Sequence, residues 1–117
     1  GALPRGLTKL NLSNNQIGAE EVRVLAVVLP GSGITELDLG LNKIGDEGAR
    51  ALAGVLPASR ITALNLFFNQ IRDEGAIALA GALPRGLTEL NLQDNEIGAE
   101  GVAALEAVKR PGLTIRY

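Results

Sequence analysis

The sequence predicts an α/β solenoid: a curved stack of strand–turn–helix units, with a parallel sheet on the concave face and helices on the convex face. Three observations lead there. An eleven-residue pattern, L-x-x-L-x-L-x-x-N-x-L with Ile permitted for Leu, occurs four times: Leu7 to Ile17, Ile34 to Ile44, Ile61 to Ile71 and Leu87 to Ile97. Its starts are separated by 27, 27 and 26 residues, the kind of fixed period that marks a stacked array. Each pattern is followed by an apolar stripe with helical spacing.

The strand comes first in each unit. Leu37 and Leu39 alternate with Asp38, so an extended segment puts the leucines on one face and Asp38 on the other. Strands are expected around Leu10, Leu37, Leu64 and Leu90. The asparagine follows where the chain must leave the sheet. Its amide both donates and accepts, so Asn15, Asn42, Asn69 and Asn95, stacked in register, form a ladder that satisfies turn backbone. This structural use is preferred to a catalytic one.

The helix comes next. Asp46 and Asp73 are expected as N-cap residues, with Glu47 and Glu74 beside the positive end of the dipole. Val22, Leu25, Ala26 and Leu29 lie on one helical face, as do Ala49, Leu52, Ala53 and Leu56, and Ala76, Leu79, Ala80 and Leu83. Pro30, Pro57 and Pro84 are expected to stop the helices. Gly48, Gly75 and Gly101 occupy the first helical turn, where close backbone approach explains a residue that is otherwise costly. The first repeat has Glu21 in that slot.

Composition agrees with one domain spanning 1–117. The units are 7–33, 34–60, 61–86 and 87–112, with a partial repeat at 1–6 and a terminal strand beginning in 113–117. The 117 residues are 46% apolar but only 3% aromatic, so the core must be aliphatic. No linker-like run divides the chain. A net charge of −2 gives no argument for nucleic acid or an anionic membrane. No apolar run is long enough to span a bilayer, and no signal-peptide pattern is read. With cysteine absent, the expectation is a cytoplasmic protein or an engineered one. The sequon Asn11-Leu12-Ser13 falls inside an expected strand and is discounted.

With strand, Asn turn, G-x-E-G helix start and A-L-A-x-x-L helix on a 26- to 27-residue period, the chain resembles the ribonuclease-inhibitor-like subfamily of leucine-rich repeats. Ribonuclease inhibitor, Ran GTPase-activating protein and the sensor ends of intracellular innate-immunity receptors carry similar units. The resemblance covers essentially the whole chain. It implies a curved solenoid that binds other proteins on its concave face and flanking loops. It names no partner, and this chain is much shorter than those proteins.

Specificity is then expected from strand residues pointing away from the core. Reading across repeats, Lys9, Glu36, Ala63 and Glu89 form one row, Asn11, Asp38, Asn65 and Asn91 a second, and Ser13, Gly40, Phe67 and Gln93 a third. Phe68 occupies a slot that holds Asn14, Leu41 and Asp94 elsewhere, and it is taken with Phe67 as a binding anchor. Catalysis is not expected. Without His or Cys, the usual nucleophilic triads and zinc sites are excluded, and no phosphate-binding loop motif is present. No metal or other cofactor is expected.

The function read here is a protein–protein interaction scaffold from a larger protein. The alternatives are a designed or consensus array with no evolved ligand, and a GTPase-regulator-like module. The segment GALPRG at both 1–6 and 81–86 fits a fragment or a designed array, whereas Phe67, Phe68, Arg72 and Ile77 break the consensus and favour natural origin. The ends are expected to differ. Glu106 and Lys109 replace apolar residues of earlier helices, and Arg116 is read into the slot of Leu10, so the C-terminal face is polar. Val24, Val27 and Val28 add an apolar edge to the first repeat, which suggests a homodimer through that edge.

Overall fold

The computed structural model describes residues 6–117, so the partial repeat at 1–6 lies, apart from Gly6, outside the described residues. Strands β1 (Lys9–Asn11), β2 (Glu36–Asp38), β3 (Ala63–Asn65), β4 (Glu89–Asn91) and β5 (Thr114–Arg116) alternate with helices α1 (Ala19–Val28), α2 (Gly45–Ala53), α3 (Asp73–Ala80) and α4 (Ala99–Ala107). All neighbouring strands pair in parallel, in chain order. Each helix packs on the next, giving the expected α/β solenoid.

The strands are three residues long, and the central one is the core residue. Leu37, Leu64 and Leu90 are buried, as are Leu39, Leu66 and Leu92 two positions on. Against them lie Val22 from α1, Leu52 from α2, Leu79 from α3 and Leu105 from α4. Ala49 and Ala76 are also fully buried, and their small side chains let consecutive helices lie close.

The asparagine ladder is present, and it runs between repeats. Asn42 Oδ1 accepts the backbone N–H groups of Asn15 and Ile17, each at 2.9 Å. Its Nδ2 donates back to the carbonyls of Leu12 and Leu39 at 3.0 and 2.9 Å. Asn69 accepts from Ile44 and donates to Leu39 and Phe67. Asn95 accepts from Asn69 and Ile71 and donates to Leu66 and Leu92. Burial grades along the ladder: Asn69 is 0% exposed and Asn42 4%, Asn95 is half-buried and Asn15 is exposed.

Three sequence expectations are corrected. Asp46 and Asp73 do not cap their own helices. Asp46 Oδ1 accepts the N–H groups of Arg72 and Gly75, at the start of α3, at 2.7 and 3.0 Å. Asp73 Oδ1 accepts those of Gly98 and Gly101, at the start of α4, at 2.6 and 3.0 Å. Each aspartate sits in the first turn of its own helix, where its side chain reaches the open N–H groups of the next helix. All three first-turn glycines make room for the isoleucine four residues earlier, since a Cβ would lie 2.3 Å from Ile44 Cγ2 at Gly48, 2.9 Å from Ile71 Cγ2 at Gly75 and 2.5 Å from Ile97 Cγ2 at Gly101. At Gly75 and Gly101 the capping carboxylate adds a second obstacle, Asp46 Oδ1 at 2.6 Å and Asp73 Oδ1 at 2.8 Å. Glu21 in the first repeat meets no such carboxylate, and it accepts the Gly18 N–H instead.

The second correction concerns helix ends. In α2 and α3 the last helical residues are followed by Gly54 and Gly81, three positions before the prolines, and Pro57 lies in a short 3-10 turn, Leu56–Ala58. The third concerns β5. Ile115, not Arg116, pairs with Leu90, and Arg116 pairs with Asn91. One residue fewer separates β4 from β5, and Gly112 takes the intervening turn at φ +85. A one-residue slip exchanges the faces, and this register turns Ile115 toward the core while Arg116 stays exposed.

Replacing Asn69 with Ala should destabilise the fold by about 1–3 kcal/mol in urea unfolding, the cost of stranding buried backbone groups. The exposed Asn15→Ala should lose much less, and equal losses would contradict the graded ladder. Asp73→Ala should cost about 0.5–2 kcal/mol by uncapping α4, seen as faster amide exchange at Gly98 and Gly101. Exchange accelerated in α3 instead would restore capping within one repeat.

Candidate protein-binding surfaces

The exposed faces of the strands form one continuous groove of about 480 Å³, running from β1 to β5 and lined by the first two rows. The first row is in register as Lys9, Glu36, Ala63, Glu89 and Thr114, and the second as Asn11, Asp38, Asn65, Asn91 and Arg116. Lys9 Nζ lies 3.1 Å from Glu36 Oε2 with both side chains well exposed. Glu89 is exposed and has no ion-pair partner among the described residues. The groove is therefore acidic in its middle, with a cation at each end.

The second row has a structural task that the sequence reading missed. Asn11, Asp38, Asn65 and Asn91 each use Oδ1 to accept the N–H two residues on, from Ser13, Gly40, Phe67 and Gln93, at 2.9 to 3.0 Å. These are side-chain turns that end each strand. Asn65 also donates to Asp38 at 3.0 Å. The signal was available, because all four slots hold Asn or Asp. A second overlooked series precedes the strands: the hydroxyls of Thr35, Thr62 and Thr88 donate to the carbonyls of Thr8, Thr35 and Thr62. The groups left free for a partner are mainly those of the first row.

The third row lies outside the groove, so Phe67, Phe68 and Gln93 are not brought together with the other expected site residues. Phe68 adopts φ +55, and this turn takes it out of the strand alternation. It is 52% exposed and lines a separate depression of about 690 Å³ with Asp46, Gln70, Arg72, Asp94 and Glu96. Phe67 is half-buried, and the two rings pack at a tilt with centroids 6.2 Å apart.

The two ends of the stack differ. Val24 and Val27 are 70% and 79% exposed, while Val28 is half-buried, and with Leu12, Ile17 and Leu25 they border an apolar hollow of about 620 Å³. At the other end Lys109 pairs with Glu106 at 3.1 Å and stands 5.6 Å from the Tyr117 ring centre, and the Tyr117 hydroxyl donates to Glu106. Arg110 crosses back to donate to the carbonyls of Pro84, Arg85 and Leu87. On the outer surface, Arg23–Glu47, Arg50–Glu74 and Arg72–Glu96 link successive repeats. Hydrogen bonding to Glu74 raises the Arg50 pKa above its ordinary value. Such exposed pairs are screened by solvent and contribute little to stability.

No cluster of His, Cys, Asp or Glu suited to a metal is found among the described residues. No helix of the described residues is long and apolar enough to cross a membrane.

Parallel strands with an open polar face, interlocked by repeated turns, define a solenoid repeat protein whose surface is suited to binding. A family model described as Leucine Rich repeat matches residues 6–26, 34–53, 61–80 and 86–105, and the chain belongs to the leucine-rich repeat family. Among solved structures it is similar to leiomodin-1 actin-binding site 2, with a TM-score of 0.81 and 25% identity over 93% of this chain and 68% of that one. No curated protein sequence matches the chain.

Because Val24 and Val27 touch so little, the double change Val24→Lys with Val27→Glu should leave unfolding free energy within about 0.5 kcal/mol of wild type. A loss several times larger, measured by urea unfolding, would show that these side chains are packed.

Proposed function

We propose that this chain is a recognition module that takes a segment of a partner protein into its concave groove. The observation that carries this reading is the groove itself: five strands present one register of exposed side chains that no other part of the described chain covers. The repeat length and the strand–asparagine–helix order also support placing the chain in the ribonuclease-inhibitor-like subfamily. The similar solved fragment is an actin-binding site by name, which supports a protein as the partner class.

Charge gives the groove a preference. Glu36, Asp38 and Glu89 occupy its middle, with Lys9 and Arg116 at its ends. A partner segment with central cationic or donor groups complements this pattern, chiefly in association rate and specificity. Exposed groups at the rim of such an interface contribute less than a desolvated pair at its centre, which makes Glu89 the side chain to test.

Monomeric actin is the first partner to assay. Titration should give saturable binding, weakened about tenfold, or about 1.4 kcal/mol, by the pair Glu36→Lys and Glu89→Lys. Binding unchanged by both substitutions would refute the groove as the site. Absence of binding at saturating actin would remove actin as the partner.

A further inference from the structure

We propose that the rim beside the groove is a second docking site, for a partner segment in which an apolar side chain lies within two residues of Lys or Arg. It is separate from the groove and does not depend on how the groove is used. At the turn after each strand, Asn14, Leu41, Phe68 and Asp94 stand in equivalent slots with φ of 56, 58, 55 and 57. Asn and Asp tolerate this left-handed conformation, while Leu and Phe do so at a cost. Burial does not offset that cost, because Leu41 is 45% and Phe68 52% exposed. Two adjacent repeats thus present large apolar side chains to solvent where their neighbours present polar ones.

The surroundings specify the rest of the ligand. Asp46, Asp94 and Glu96 border the depression beside Phe68, against a single cation, Arg72. Arg72 already lies 3.4 Å from Glu96, and Asp46 Oδ1 is held by the start of α3. Asp94 is exposed and forms no ion pair among the described residues. A cation placed in this depression lies among the groups that border it, the Asp94 carboxylate and the Phe68 ring, both of which attract it. Lys43, exposed two residues beyond Leu41, makes the other end of the patch unfavourable for a cation. The partner's apolar group therefore sits on Leu41 and Phe68, and its basic group lies toward the fourth repeat. Neighbouring repeats are spaced by about 4.8 Å, and alternate residues of an extended segment by about 6.8 Å, so the two groups fall within two residues of each other.

Random peptides displayed on phage and selected against the full chain test this, followed by anisotropy titration of the labelled winners. The expected winners pair an apolar residue with Lys or Arg at that spacing. Phe68→Asn and Asp94→Lys should each weaken them at least about tenfold, while Glu89→Lys in the groove leaves them unchanged. Phe68→Asn should also keep or raise the melting temperature, since Asn suits the left-handed turn, so lost binding cannot be assigned to misfolding. A library yielding no binder, winners without the basic residue, or undiminished binding to Phe68→Asn would each overturn the proposal.

Discussion

Asn42 and Asn69 are polar side chains enclosed in an aliphatic stack, and the spacing of the repeats depends on them. Each amide spans the boundary between units, accepting from one backbone and donating to two. A turn that leaves a strand in every repeat would otherwise bury unpaired carbonyls and N–H groups, at a cost of several kcal/mol across the array. The ladder removes that cost only when neighbouring strands are in register. The same hydrogen bonds that satisfy the turns therefore align the exposed rows of the groove.

Capping across repeats applies the same logic to the helices. Short helices leave a large share of their N–H groups open, and Asp46 and Asp73 close those of the following unit. Glycine at positions 75 and 101 is the counterpart, because the carboxylate and the preceding isoleucine together occupy the space of a Cβ. A unit is therefore incomplete by itself in three respects: its core face, its turn and its helix start all need a neighbour.

The proposed binding surfaces use what this arrangement leaves over. The second row of the concave face is largely committed to strand-ending turns, which leaves the first row and the rim as the surfaces for the recognition we propose. There the repeats differ most from each other: Lys9 against Glu36, and Leu41 and Phe68 against Asn14 and Asp94. Positions that hold the stack together repeat, whereas positions free of that duty vary.

By itself the sequence determined the repeat, the parallel α/β solenoid and the identity of nearly every core residue, because alternation and helical spacing are local patterns repeated four times. It located the asparagine ladder for the same reason. Strand alternation also put Lys9, Glu36 and Glu89 on the open face of the sheet, where they line the groove. Tertiary structure decided the features that depend on the distance between units: which helix Asp46 caps, and whether Ile115 or Arg116 faces the core. It also separated Phe68 from the groove, because a left-handed turn carries its ring to the depression beside Arg72 rather than to the strand face. Local pattern specifies which face a residue belongs to, but the partner of a polar group is set by how closely neighbouring repeats pack, and no single repeat encodes that distance.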